Sequence, residues 1–144
     1  MAVVKVMLVD DEVPFVEAMT KRLTKRDLAV VPAFSGADAL EKLREHDDVD
    51  IVILDVKMPV IDGVQTLREI KKERPLVEVI LLTGDATVES AIEGMKLGAY
   101  DYLMKPCDMD LLMAKIAEAE AKKASQEERI LEARLREITL RQGS

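Results

Sequence analysis

Short apolar runs alternate along this chain with segments whose apolar residues recur every three or four positions. The runs predict strands, and the periodic segments predict helices with one buried face. The predicted strands are Val3–Val9, Leu28–Phe34, Ile51–Leu54, Val77–Leu82 and Tyr100–Met104. The predicted helices are Pro14–Arg26, Ser35–Glu45, Gly63–Arg74, Thr87–Leu97 and a long helix from Asp108. This alternation, with short connections, predicts an α/β fold with five parallel strands in a doubly wound (βα)5 sheet.

The same patterns assign positions to individual residues. Pro32 interrupts the second strand, and because proline cannot donate to a strand ladder, this strand is expected at a sheet edge. His46 is interpreted as a solvated loop histidine rather than a ligand. Periodicity predicts that the second helix buries Ala37, Leu40 and Leu43, and that the fourth buries Val88, Ala91, Ile92 and Met95.

Four of the predicted strands end in polar residues suited to chemistry. These residues are Asp10, Asp11 and Glu12 after the first strand, Asp55 after the third, Thr83 after the fourth and Lys105 after the fifth. Ligands bind at the carboxyl edge of open parallel sheets, so these side chains are expected to converge there. The alternative for the acidic residues is that each caps the helix that follows it.

Composition and charge narrow the possible functions. The chain has 144 residues, a formal net charge of −7, one cysteine and one histidine. These numbers exclude an intramolecular disulfide and a Cys/His metal cluster, and the acidic charge argues against direct nucleic-acid binding. With no membrane-spanning run and no leader peptide, the protein is expected in the cytoplasm.

The strand-end residues suit one reaction, the transfer of a phosphoryl group to a carboxylate. Carboxylates that converge within a few ångströms repel one another, and an oxygen-only set favours Mg²⁺ as the cation that relieves this repulsion. Asp55 is the candidate nucleophile. Lys105 would neutralise charge on the transferring oxygens, and Thr83 would donate a hydrogen bond to one of them.

With these residues, the chain resembles the receiver domain of bacterial response regulators in two-component signalling, from Val3 to about Ala119. The L-T-G-D and M-K-L-G-A-Y-D-Y-L-M-K-P runs are most similar to receivers of the nitrogen-regulation and dicarboxylate-transport type. The resemblance implies a flavodoxin-like fold and phosphorylation at Asp55 by a sensor histidine kinase, with self-catalysed transfer and hydrolysis rather than enzymatic turnover. It also implies the following site residues: Asp10, Asp11, Asp55 and the Lys57 carbonyl for Mg²⁺, Thr83 and Tyr102 as the switch pair, and Lys105 before a cis Pro106.

The resemblance also implies how the signal leaves the site. Phosphorylation would draw Thr83 toward the phosphate, and Tyr102 would rotate into the space released. This change would reshape the face formed by the fourth helix, the fifth strand and the fifth helix. The alternative for Tyr102 is an aromatic residue at the core edge with no switching role.

Two features depart from the family pattern or vary within it. Cys107 follows Pro106 where the family often has a large apolar residue, and it is interpreted as a small buried hydrophobic residue rather than a redox sensor. Lys57 and Asp85 occupy positions that in the family tune the phosphate lifetime. An opposite-charge pair there is predicted to cover the site and to restrict the attacking water.

The last segment is the least regular part of the pattern. Residues 1–119 are predicted to form the receiver domain and residues 120–144 a helical extension. Leu131, Leu135 and Ile138 have the spacing of a coiled coil, but the preceding positions fill the seam weakly. The extension is therefore expected either to form a parallel homodimer or to remain a solvated helix.

Three other classes of protein are weighed against a receiver. A phosphatase of the haloacid-dehalogenase type needs an acid two residues after the nucleophile, where this chain has Lys57. A nucleotide-binding domain needs a glycine-rich phosphate loop, and none is present. A receiver-like interaction module that works without phosphorylation would not need the complete set of acids, threonine and lysine.

Overall fold

The computed structural model describes residues 3–56, 63–84 and 88–142. The strands in these ranges are β1 (Lys5–Val9), β2 (Ala29–Ala33), β3 (Ile51–Leu54), β4 (Glu78–Thr83) and β5 (Asp101–Met104). The helices are α1 (Val13–Thr24), α2 (Gly36–Glu45), α3 (Gly63–Glu73), α4 (Val88–Lys96) and α5 (Met109–Gln142). The predicted elements are confirmed, with ends that differ by at most two residues.

The five strands form one parallel sheet in the order β2-β1-β3-β4-β5. β3 and β4 lie inside the sheet and are buried along their whole length, as expected for unbroken apolar runs. β2 lies at an edge, where Pro32 pairs with Leu8. The doubly wound fold and the edge position of β2 are therefore confirmed.

Alternate residues of each strand point to two separate cores, one on each face of the sheet. On one face, Met7, Val52 and Leu81 pack with residues of α2 and α3. On the other face, Leu8 and Ile53 pack with residues of α1 and α5. Because both faces are covered, the carboxyl edge of the sheet is left for the functional side chains.

The prediction for α4 was wrong about which side faces the core. Ile92 is 49% exposed and Met95 is 46% exposed, whereas Gly94 is buried. A Cβ atom on Gly94 would lie 2.4 Å from Cδ1 of Leu81, so α4 packs with its glycine against the sheet. This close approach turns the large residues outward. The side chain of Val88 lies outside the described residues.

The α2 region shows two smaller differences from the prediction. Ala37 is exposed, and Ala39 packs with Leu43 in the core instead. His46 is the residue that caps the end of α2, and it is half-buried rather than fully solvated. Its carbonyl oxygen accepts a hydrogen bond of 3.2 Å from Arg74. The periodicity thus identified the buried stripe of α2 correctly at Leu40 and Leu43, and only Ala37 was wrongly assigned to it.

α5 is one helix of 34 residues and runs without interruption through residues 119 and 120. Leu112, Ile116 and Ala119 bury its first turns against the sheet. Farther along, Lys122 Nζ lies 3.4 Å from Glu78 Oε2 and Lys123 Nζ lies 3.2 Å from Asp50 Oδ1. From residue 127 to residue 142 every position is exposed.

None of the helices within the described ranges is both long enough and apolar enough to cross a membrane.

Candidate functional site

The carboxyl ends of β1 and β3 bring three carboxylates together. Val9 pairs with Leu54 across the sheet, so the next residues, Asp10 and Asp55, emerge side by side. The Asp55 amide donates to the carbonyl oxygen of Val9 at 3.0 Å, which fixes this register one residue beyond the strand. Carboxylate oxygens of Asp10, Asp11 and Asp55 all lie within 4.8 Å of one another. The predicted convergence of these acids is therefore observed.

Burial distinguishes two of these acids, Asp10 and Asp55, from ordinary surface carboxylates. Asp10 is 1% exposed and Asp55 is 5% exposed, while Asp11 is open to solvent. Neither group of acids serves as a helix cap. The described part of α3 runs from Gly63, eight residues after Asp55, and Glu12, at the cap position of α1, makes no side-chain capping hydrogen bond. The alternative interpretation of these acids as caps is thus not supported by the geometry.

Lys105 brings a positive charge to these acids from the end of β5. Its Nζ lies 2.6 Å from Asp10 Oδ2, 3.2 Å from Glu12 Oε1 and 3.9 Å from Asp55 Oδ2. Its backbone amide donates to the carbonyl oxygen of Thr83 at 3.0 Å, so β4 holds the root of the side chain. The lysine and the acids therefore form one charged cluster.

The charge of Lys105 is stabilised by its surroundings. Partial burial lowers the pKa of Lys105, but this effect is outweighed by the hydrogen bond to Asp10, the charges of Asp10 and Asp55, and the hydrogen bond to Glu12. The net result is a pKa above the ordinary lysine value. Lys105 is therefore an ammonium ion throughout the physiological pH range.

Thr83 and Gly63 complete the described part of the site. Thr83 is 1% exposed at the carboxyl end of β4, on the same sheet edge as the acids. Gly63 starts α3 against the backbone of Asp55, because a Cβ atom added to Gly63 would lie 2.2 Å from the Asp55 carbonyl oxygen. The sequence suggested a turn at Gly63 but not this contact. Lys57 and Asp85 lie outside the described residues.

The comparison with family models agrees with the arrangement of residues in the site. Residues 6–117 match the model of the response regulator receiver domain. The chain belongs to this family. The resemblance predicted from the strand-end residues is thereby confirmed, and a receiver domain is the part of a response regulator that accepts a phosphoryl group in two-component signalling.

Relatives of this receiver include longer proteins. The transcriptional regulatory protein ZraR of Escherichia coli is 39% identical over 116 residues, which are 81% of this chain and 26% of that protein. The transcriptional regulatory protein GlrR of Escherichia coli is 37% identical over 113 residues, 78% of this chain and 25% of that protein. The receiver thus spans about a quarter of the length of the curated relatives it matches.

Solved structures agree with the fold of this receiver. A receiver domain protein from Clostridium thermocellum superposes with a TM-score of 0.83 at 35% identity, covering 86% of this chain and 99% of that one. NtrX from Brucella abortus superposes with a TM-score of 0.81 at 27% identity, covering 88% of this chain and 29% of that one.

The remaining predicted residues of the receiver lie near β5. Tyr102 is half-buried, and its hydroxyl lies 3.3 Å from Ser90 Oγ on α4. The peptide bond between Lys105 and Pro106 is cis. Cys107 is half-buried, and burial, followed by the charge of Asp108, raises the pKa of its thiol. A thiol with a raised pKa suits a small packing residue better than a reactive thiolate.

Two neighbours of Lys105 make contacts that the sequence did not predict: Phe15, and Glu12, which was identified only as one of the carboxylates after the first strand. The Phe15 ring centroid lies 4.0 Å from Lys105 Nζ, and Glu12 accepts a hydrogen bond from the same nitrogen at 3.2 Å. In the sequence, Phe15 is one of the regularly spaced apolar residues of the predicted helix Pro14–Arg26, and this spacing indicates only a core position. Its distance of ninety residues from Lys105 along the chain leaves no local signal of the contact.

Proposed function

We propose that Asp55 is the phosphoacceptor of this receiver and that a sensor histidine kinase is its donor. The observation that carries this proposal is the position of Asp55. It is a nearly buried carboxylate at the carboxyl end of β3, with two further acids and an ammonium group around it. A buried carboxylate in such a cluster is held in place for reaction at a defined point.

The chain's own residues account for most of the transfer chemistry. A carboxylate oxygen of Asp55 attacks the phosphorus atom, and the bond between phosphorus and the histidine nitrogen of the kinase breaks. The ammonium of Lys105 lies close enough to neutralise charge on the transferred oxygens, since it is 3.9 Å from Asp55 Oδ2. Thr83, buried at the same edge, supplies a hydroxyl as a second donor.

The donor set fits a divalent cation that prefers oxygen. Asp10, Asp11 and Asp55 would hold Mg²⁺, together with the Lys57 carbonyl, which lies outside the described residues. When bound, Mg²⁺ supplies positive charge that screens the three acids and the incoming phosphoryl group. This assignment depends on the chemistry of the carboxylates, which are close together and have one exposed member through which a cation can enter.

Loss of the phosphoryl group follows from the same arrangement. Water attacks the phosphorus, the bond to the Asp55 oxygen breaks, and inorganic phosphate leaves. The chain would thus catalyse only its own phosphorylation and dephosphorylation. Lys57 and Asp85, both outside the described residues, remain proposed as the pair that limits the access of water.

The output is proposed to leave through the face formed by α4, β5 and α5. Tyr102 and its Ser90 contact lie in this region, and Thr83 would couple them to the phosphate. The face also exposes large apolar side chains: Ile92, Met95, Met104 and Leu111. Exposed apolar residues of this kind suit a second copy of the chain, and α5 extends the same surface through Leu131, Leu135 and Ile138.

The relation to longer regulators belongs to the same proposal. ZraR and GlrR are named transcriptional regulatory proteins, and this chain corresponds to about a quarter of each. We propose that residues 1–119 receive the phosphoryl group and that residues 120–144 connect it to an output. The prediction that this chain does not itself bind nucleic acid rests on its net charge of −7.

The test measures labelling and size together. The protein is incubated with Mg²⁺ and acetyl phosphate, and intact mass and solution size are recorded, with Asp55→Asn as control. We expect one added phosphoryl group that the control lacks, and a larger dimer fraction after labelling. Labelling without a change in size would remove the proposed dimer only.

Two further outcomes would change the assignment. If Mg²⁺ binds but labelling does not occur, the chain is a receiver-like interaction module that works without phosphorylation. If the protein turns over phosphate esters many times, it is a phosphatase.

A further inference from the structure

Lys105 is held on the acidic cluster by more groups than the acids themselves. Its side chain is only 14% exposed. Its ammonium contacts the carboxylate of Asp10 at 2.6 Å, the carboxylate of Glu12 at 3.2 Å and the face of the Phe15 ring at 4.0 Å from the centroid. Glu12 is the cap residue of α1, and Phe15 lies in the first turn of that helix.

Asp10 is shared between this lysine and the proposed cation site. Its Oδ1 accepts the backbone amide of Glu12 at 2.9 Å, and its Oδ2 accepts Lys105 at 2.6 Å. A cation that uses Asp10 must therefore approach a carboxylate that already carries an ammonium group. Two positive charges that share one carboxylate repel each other, so a Lys105 ammonium held firmly on Asp10 opposes cation binding.

We propose that Phe15 and Glu12 are positioning residues that hold the Lys105 ammonium on Asp10 and thereby weaken the binding of Mg²⁺. This inference rests on the proposed function, because it takes Asp10, Asp11 and Asp55 as the cation ligands. Phe15 acts through the attraction between an ammonium and an aromatic face. Glu12 acts through charge and a hydrogen bond. They set how readily the site accepts the cation that phosphorylation needs.

Phe15 gives the cleaner test because it is uncharged. Replacing it with leucine keeps an apolar side chain on α1 against the core and leaves the net charge of the site unchanged. The change removes only the aromatic face beneath the ammonium. Any change in Mg²⁺ affinity that depends on Lys105 must then come from the position of that ammonium.

The experiment is a double-mutant cycle on Mg²⁺ affinity without phosphodonor, measured by calorimetry on the full chain. The four proteins are wild type, Phe15→Leu, Lys105→Met and the double variant. We expect Phe15→Leu to tighten Mg²⁺ binding about two- to fivefold when Lys105 is present. We expect no effect of the same change in the Lys105→Met background. Equal effects in both backgrounds, or none in either, would overturn the proposal.

Glu12 is tested by the same cycle with Glu12→Gln. Loss of its negative charge weakens Mg²⁺ binding directly, whereas release of Lys105 strengthens it. Only the direct effect remains once Lys105 is replaced. The proposal therefore requires Glu12→Gln to weaken binding more in the Lys105→Met background than in wild type. The reverse order would remove Glu12 from the proposal.

Two controls separate the possible failures. Phe34→Leu changes an aromatic residue that lies 5.7 Å from Lys42 instead, and it should leave Mg²⁺ affinity unchanged. Thermal unfolding of each variant establishes that the folded protein is measured. If wild type itself fails to bind Mg²⁺, the proposed cation site falls and this inference falls with it. If wild type binds and the cycle shows no coupling, only this inference fails.

Discussion

Gly63 shows how closely a single residue is constrained next to Asp55. A Cβ atom there would lie 2.2 Å from the Asp55 carbonyl oxygen and 2.4 Å from Val56 Cα, and neither backbone atom can rotate away. We expect Gly63→Ala to lower the free energy of unfolding by about 2–3 kcal/mol, because α3 must shift away from the site. Urea denaturation measures this change.

Gly84 provides the matched control for that substitution. A Cβ atom at Gly84 would meet its nearest neighbour, Lys105 Cβ, at 3.8 Å, which is an ordinary contact. Gly84→Ala should therefore change the free energy of unfolding much less than Gly63→Ala. If both variants lost a similar free energy of unfolding, the close approach at Gly63 would not be the reason that this position requires glycine.

Lys105 allows a direct test of charge neutralisation during transfer. Lys105→Met removes the ammonium that lies 3.9 Å from Asp55 Oδ2. At saturating Mg²⁺, labelling by acetyl phosphate should slow about 100-fold, the usual effect of losing one donor to a developing negative charge. The initial rate of mass increase measures it. A rate within a factor of two of wild type would exclude Lys105 from the reaction.

At the scale of residues, the sequence predicted the acids and Lys105 because each follows directly on an apolar run. Their convergence then followed from the parallel sheet. The contacts of Phe15 and Glu12 with Lys105 could not be predicted in this way. They depend on the direction that one flexible side chain takes, and neighbouring residues in the sequence do not determine that direction.

Between elements, an ion pair joins β5 to α5. Lys115 Nζ lies 2.9 Å from Asp101 Oδ2, and the Tyr102 amide donates to Asp101 Oδ1 at 2.7 Å. Partial burial raises the pKa of Asp101, but these two hydrogen bonds and the charge of Lys115 outweigh it, so the pKa is lowered overall. The carboxyl group of Asp101 therefore binds fewer protons in the folded state than in the unfolded state at the same pH. Its ionised form stabilises the folded state.

This shift has a defined dependence on pH. A carboxylate with a lowered pKa contributes stability above its unfolded pKa, about 3.9, and loses that contribution as pH falls through the folded pKa. Asp101→Asn should therefore be less stable than wild type at neutral pH, and the difference should shrink below about pH 4. Thermal unfolding across pH measures it, with Glu128→Gln on exposed α5 as control. A difference that grows in acid would contradict the assignment.

Helix α4 shows what the spacing of apolar residues cannot predict. The apolar residues of this segment have helical spacing, and the helix formed as predicted. Spacing cannot show that Gly94 packs closely against Leu81 while Ile92 and Met95 face solvent. A rule that buries the largest apolar residues fails where the sheet and the helix approach each other at a glycine.

For the whole molecule, the exposed apolar residues of α5 predict self-association. Leu131, Leu135 and Ile138 are 57%, 53% and 48% exposed and have coiled-coil spacing. Leu135→Glu places a charge in the centre of this seam. We expect it to lower the dimer fraction at least about tenfold, since burying an unpaired charge is costly. Light scattering after size separation measures the fraction, and labelling at Asp55 should be unaffected.

Leu140 is the matched control for the seam. It is 76% exposed on the same helix but lies off the coiled-coil spacing. Leu140→Glu adds the same charge and should leave the dimer fraction close to that of wild type. Equal loss of dimer in both variants would indicate a general charge effect instead of a packed seam.

The overall architecture was the most predictable level of this protein. Five apolar runs and their connections determine a doubly wound sheet, because few other arrangements cover both faces of unbroken apolar strands such as β3. The path of α5 was less predictable. Lys122 and Lys123 pair with Glu78 and Asp50, which are distant in the chain and come close only once the sheet has formed.

The uninterrupted course of α5 gives the protein a mechanical lever. At about 1.5 Å per residue, the helix extends roughly 28 Å from Lys123, where it leaves the sheet, to Gln142. A tilt of about 10° at that root would carry the far end through about 5 Å, the height of one helical turn. Movements near the site that are too small to alter the fold would therefore become large displacements at a distance.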